Sequence, residues 1–438
     1  MTIGPSVPGN TSFRLTLNAP GGTYIINNCT NAGGIIDAGI SNGTNYLSGA
    51  NWFIAAPSSF GLAADNTRVI VLTNLNLSGS STLSNGVANP ADGLGTITYA
   101  GNATHFTGPV VTSFGTTLQA YSQTNLGGNP ASFNAAQFVL DNGIFQPLAS
   151  MALTNANSGV TINPGGGTFN VGSGISLVIA NPISGNGGIT NQGGGILVFS
   201  GTDNCTGPTM INAGTLALRG NGVLSGSANI TVAGGATLDV SALNSTFTLA
   251  AGQTLSNSAA NAVISGTNNP GGGTVSLSYD GVNPSFIITN GGMTLSSSTV
   301  FKVRNTGTQL SAGGSYKIIA RAATGNAGLV AGPVPASVTV GGNGAANAAS
   351  LQIIGGELYL TVAASLPGTR TNLTFSVTGD QLNLSWPSSY TGWLLQSNSV
   401  SLLLTNDWFT VPGSAGTNCV QITIPPTQGC VFCRLAHP

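Results

Sequence analysis

The side chains able to do chemistry are few and scattered. The acids are Asp37, Asp65, Asp92, Asp141, Asp203, Asp239, Asp280, Glu357, Asp380 and Asp407, and none lies within ten residues of another. Glycoside hydrolysis generally needs two carboxylates flanking one bond, so any such pair has to be assembled by the fold. Stacking could bring Asp203 and Asp239 together, yet one sits in a polar loop and the other inside a strand pattern. His105, in GNATHFTGP, has no nucleophile elbow beside it, and His437 is next to the terminus. The glycine runs NPGGGTF and NNPGGGTV lack the Lys-Ser/Thr and the following helix of a phosphate-binding loop. No EF-hand or glycine-aspartate calcium repeat occurs, and no CxxC pair comes with the histidines of a zinc site. These residues predict a chain that is not an enzyme and carries no cofactor and no metal.

Five cysteines are too few for a disulfide scaffold. TNCVQITIPPTQGCVFCRL reads as a hairpin turning at Pro425-Pro426, which would set Cys419 opposite Cys433 for a disulfide. Such a bond fits an oxidising compartment. An odd count leaves a thiol over, so Cys29, Cys205 and Cys430 are candidate inter-subunit thiols. LNLSWP and TGWLLQ place Trp386 and Trp393 in a small core that needs large apolar residues. Trp408 and Tyr390 are the candidates for stacking on a sugar ring of an extracellular polysaccharide.

Behind these residues lies an unusual composition. Only 4% of the 438 residues are charged, against about 25% in an ordinary soluble domain. Glycine contributes 65 residues, but 41% hydrophobic content and a mean hydropathy of +0.27 argue against disorder. An all-β chain of short strands and Gly/Asn turns is what remains. A net charge of −1 gives no electrostatic case for nucleic acid or an acidic membrane. No apolar run reaches the roughly 18 residues of a membrane-spanning helix, and MTIGPSVPGNTSF lacks the regions of a signal peptide.

The elements that must position these residues repeat. Gly195-Ile196-Leu197-Val198-Phe199 aligns with Gly214-Thr215-Leu216-Ala217-Leu218, with Ala236-Thr237-Leu238-Asp239-Val240, and more loosely with Gly252-Gln253-Thr254-Leu255. The leucines are 19, 22 and 17 residues apart. Period-two strands recurring at that interval, with glycine corners between them, predict a β-solenoid. The expected divisions are a β-rich, solenoid-like region over 1–140, the solenoid over 141–365, and a small antiparallel β-sandwich-like domain over 366–438, after the linker AASLPGTRTN.

SGTDNCTGPTMINAGTLAL resembles the autotransporter-associated β-strand repeat through Ser200, Gly201, Thr206, Gly207, Thr209, Ile211, Gly214, Thr215, Leu216 and Leu218. Asp203 and Cys205 stand where that pattern has Asn and Tyr. The chain also looks like the large secreted repeat proteins of Verrucomicrobia-type bacteria, and its tail resembles their terminal β-domain. The resemblance implies an extracellular or cell-surface β-solenoid without catalytic activity. A solenoid has two open edges, and the sequence displays no charged or proline-rich cap for them. The expected function is therefore head-to-tail self-assembly into a surface filament, through a heterologous contact between copies. The alternative is a monomeric adhesin or carbohydrate-binding passenger, and a polysaccharide-degrading β-helix is the third reading.

Overall fold

The computed structural model describes residues 2–3, 14–17, 23–25, 29–32, 35–38, 43–48, 51–62, 68–73, 75–86, 95–322, 329–365, 370–399, 408–424 and 431–437. Backbone alone is described in the strands before residue 44 and at 45, 61, 62 and 68. The chain forms two compact units: Met1–Ser311 with Ser315–Val362, and Ala312–Gly314 with Ala363–Pro438.

The first unit is a parallel β-solenoid. One turn runs through Asn51–Ala56, Ser58–Leu62 and Arg68–Thr73, and the next through Asn76–Gly79, Leu83–Asn85 and Thr96–Tyr99. Each strand pairs in parallel with its counterpart one turn later, Leu77 with Trp52, Leu83 with Ser58, Ile97 with Ile70. Among the described residues the third position of the turn builds a 14-stranded sheet, from Thr23–Ile25 to Val338–Gly342. At the usual strand spacing that face is about 60 Å long.

The other two faces are interrupted, one by a short helix and the other by loops. A five-stranded sheet ends at Asn102–Phe106. In its place the chain makes the short helix Gln123–Leu126, tied down by Asn125 Nδ2 donating to the Gly101 carbonyl at 2.6 Å. A ten-stranded sheet begins at Met151–Leu153. The eight-stranded sheet ends at Ile183–Gly185, and a four-stranded one starts at Phe247–Thr248. Between them the turns are completed by loops, and Asp203 makes an isolated parallel bridge to Ile183.

Alternation explains the core. Ile70, Ile97, Leu118, Phe145 and Phe169 stand in register, one per turn, and are fully buried. Where a corner buries backbone polar groups, an amide side chain satisfies them. Asn257 Nδ2 donates to the Ala259 and Ser278 carbonyls at 2.9 and 2.8 Å, and its Oδ1 accepts from Ser278 N–H. Leu197, Leu216 and Leu238 stack directly, as the repeat predicts. Leu255 does not join them: it lies in the 14-stranded sheet opposite Ile230, and the residue stacked on Leu238 is Ile264. The 17-residue spacing was too short for a full turn carrying a third strand.

At the far end of this unit one face departs from the bare parallel edge expected, while the 14-stranded and four-stranded sheets still end on the parallel strands Val338–Gly342 and Leu329–Ala331. In the ten-stranded sheet the last two strands, Glu357–Val362 and Ala349–Ile354, run antiparallel beyond Ser315–Arg321. Charge gathers there as well: Lys302 and Arg304 are exposed, and Lys317 Nζ lies 2.8 Å from Glu357 Oε2. Charged side chains and a break in the pairing pattern are what discourage edge-to-edge addition.

The second unit holds two three-stranded antiparallel sheets around Leu384, Trp386, Tyr390, Trp393 and Leu395. The expected hairpin between Cys419 and Cys433 is not formed. Cys419–Thr423 pairs with Gln381–Ser385 in one sheet, and Phe432–Ala436 pairs with Leu394–Asn398 in the other. Cys419 and Cys433 are both free thiols, each opposite a serine rather than each other.

Candidate functional site

Asp203 and Cys205 occupy the loop that replaces a missing strand between two turns. The glycines of the loop have no room for a side chain: a Cβ at Gly207 would run into the Gly187 backbone. Asp203 is fully buried. Its Oδ1 accepts the Cys205 N–H at 2.8 Å, and its Oδ2 has no hydrogen-bond partner among the described residues. Burial pushes its carboxyl up to about 6, against the pull of the Cys205 hydrogen bond. Cys205 is also fully buried, with its thiol on the Ser184 carbonyl at 3.3 Å. Burial, then the Asp203 charge, raises the thiol, so it holds its proton. A cross-link to another chain has no exposed sulfur to start from here. Cys430 lies outside the described residues, and Cys29 sits in the strand Cys29–Ala32 with its side chain undescribed.

Three other acids among the described residues are used locally. Asp141 accepts from Gly165 N–H at 2.9 Å, Asp239 pairs with Arg219 at 3.5 Å, and Asp280 accepts from the Val282 and Asn283 backbones. Asp203 and Asp239 belong to different faces, one bridging the eight-stranded sheet and the other inside the ten-stranded one. Among the described residues no three His, Cys, Asp or Glu side chains gather as metal ligands would. His105 is exposed, with Nδ1 3.4 Å from Thr104 Oγ1.

In the second unit Trp386, Trp393 and Tyr390 are buried, with Tyr390 edge-on to Trp393 at 5.3 Å. Tyr390 is therefore core, not a platform for a sugar. Trp408 is half-buried, and the Arg434 guanidinium covers one face of its ring at 4.2 Å. Arg434 was missed in the sequence because nothing local marks a cation that will meet an aromatic 26 residues earlier.

The largest regular surface is the outward side of the 14-stranded sheet. Nine consecutive strands, from Thr96–Tyr99 to Thr274–Tyr279, contain no charged residue. Outward positions line up one per turn as Thr168, Thr190, Met210, Thr231, Ser256 and Ser276. Hydroxyls thus recur at the strand spacing of about 4.8 Å on either side of the exposed Met210, and Thr231 and Ser256 meet at 2.9 Å. Earlier in the sheet, Thr98, Gln119 and Gln146 form a side-chain chain of 2.8 Å hydrogen bonds. A shallow groove of about 480 Å³ runs beside Thr168, Thr190 and Met210, walled by Pro164, Pro208 and Asn186. The arrangement offers donors and acceptors in a row, with no charged side chain in these nine strands.

No family model matches the chain, and no solved structure matches it. Over an alignment of 155 positions that covers 33% of the chain, it is 32% identical to the adhesin BmaC autotransporter of Brucella suis biovar 1 (strain 1330). The match spans only 4% of that protein's length. The chain thus carries a parallel β-solenoid as its first unit, and over a third of its length it is similar to part of an autotransporter adhesin.

Proposed function

We propose that this chain is part of a secreted, cell-surface adhesin passenger, a stiff β-solenoid that works by display and catalyses no reaction. The observation that carries the reading is the similarity to an autotransporter adhesin, in a chain whose described residues build a parallel solenoid. The repeat is of the autotransporter-associated type, in which Gly207 and Gly214 permit close approach between turns and Leu216 and Leu218 fill the inside. The uncharged face of the 14-stranded sheet supplies the adhesive surface, and its partner is a neutral, hydroxyl-rich polymer such as an extracellular polysaccharide. Hydrogen bonding supplies orientation there, since neutral surfaces gain nothing from electrostatic steering.

Binding of the purified chain to polysaccharide-coated surfaces tests this directly. The double variant Thr190→Glu, Thr231→Glu places charge on the ladder without touching the core, and is expected to weaken binding about tenfold or more at unchanged melting temperature. Undiminished binding by that variant would move the adhesive surface elsewhere. In negative stain the protein is expected as dispersed rods; regular fibres would replace this reading with self-assembly. Release of reducing sugar from any polysaccharide would overturn the non-catalytic part.

A further inference from the structure

The second unit contains a cleft of about 720 Å³, within the range of small-ligand sites. Two of the chain's nine Lys and Arg residues, Arg370 and Arg434, line it. Thr371, Asn372, Leu373 and Trp393 form much of the remaining wall, and no carboxylate is among the lining residues. Arg434 is held in place by two contacts: Nε donates to Gln396 Oε1 at 2.9 Å, and the guanidinium plane rests on Trp408. Neither arginine has an acidic partner among the described residues, whereas Arg219 and Lys317 in the solenoid do. Trp393 lines the cleft with its ring, while its indole N–H is enclosed and has no hydrogen-bond partner among the described residues. Burial raises the Cys433 thiol, so the one acidic group on the wall stays neutral.

An unpaired guanidinium recognises a carboxylate well, because its planar fork donates two parallel hydrogen bonds. Arg434 offers one held in place, and the exposed Arg370 a second that is free to close on the ligand. Two cations do not make the stripe that a nucleic acid backbone requires. The cleft also joins apolar surface from Leu373 and Trp393 to polar groups from Thr371 and Asn372. That combination suits a pyranose ring, which has C–H faces and hydroxyl edges. We propose that this cleft binds the carboxylate of an acidic sugar, of the uronic acid class. The site is separate from the neutral solenoid face, and it stands or falls independently of the adhesive reading given above.

Calorimetric titration of the full chain with digalacturonate, its methyl ester and inorganic phosphate tests the assignment. Digalacturonate is expected to bind, and the ester and phosphate to bind at least tenfold more weakly. Arg370→Gln and Arg434→Gln are each expected to weaken digalacturonate about tenfold at unchanged melting temperature. Arg304→Gln, on the exposed side of a solenoid strand, and the Thr190→Glu, Thr231→Glu pair should leave it unchanged. Equal binding of acid and ester would sink the proposal without requiring any variant to fold. So would phosphate matching the sugar, loss of binding in Arg304→Gln, or full binding in both cleft variants.

Discussion

Asp203 shows how a single side chain can oppose the fold that encloses it. Its folded carboxyl titrates near 6 rather than 3.8, because burial disfavours the charged form. The folded state therefore holds this proton more tightly than the unfolded chain does. For this group stability is highest below about pH 4, declines as pH rises from there through about 6, by about 3 kcal/mol in all, and then levels off; most of the decline lies above about pH 4.5. Urea unfolding at pH 4.5 and 7.5 is expected to show that decline, and Asp203→Asn is expected to remove most of it while stabilising the protein at pH 7.5. A variant with the same pH dependence as the parent would assign the effect to other acids. Cys205 provides a second check. In the native protein Cys419 is expected to react readily with a thiol reagent and Cys205 only on unfolding, since one is exposed and the other enclosed. The corner role of this loop was legible from its turn residues. Its complete burial was not, because that depends on which turns lie above and below.

At the scale of the strand, alternation decides what each position costs to change. Leu216 is fully buried between Leu197 and Leu238, so Leu216→Ala is expected to cost about 2–5 kcal/mol by chemical denaturation. Gly207→Ala is expected to cost about 1–3 kcal/mol, since its Cβ would overlap the Gly187 backbone with nothing soft to yield. Thr231 is half-buried on the outward side of its strand, so Thr231→Ala should cost less than about 1 kcal/mol, which separates the ladder's surface role from the core's structural one. The repeat of Gly-x-Leu strands was readable because inward residues stack on identical neighbours. Leu255 was misread for the same reason. A leucine shortly after a glycine corner looks alike on any of three faces, and only the count of strands per turn assigns it.

For the whole molecule, the scarcity of charge is a physical property with consequences. Among the described residues two ion pairs occur, Arg219–Asp239 and Lys317–Glu357, both partly exposed. Surface pairs of this kind contribute little and are screened by salt. Stability therefore rests on burial and on the backbone ladders, and calorimetry in 0.05 M and 1 M NaCl (roughly the range over which the Debye length falls from beyond 10 Å to 3 Å) is expected to give nearly the same melting temperature before salting-out effects. A large loss at high salt would show that charge carries more than these two pairs supply.

The all-β class, the solenoid and its glycine corners followed from the sequence alone. Period-two strands and turn residues are local signals, and each carries its own physical cause. Tertiary structure decided which face each strand joined, where the faces break, and which polar residues are enclosed. It separated Cys419 from Cys433 and brought Arg434 over Trp408. Those outcomes depend on neighbours a full turn or a whole sheet away, and contacts at that distance leave no mark on the local pattern of residues.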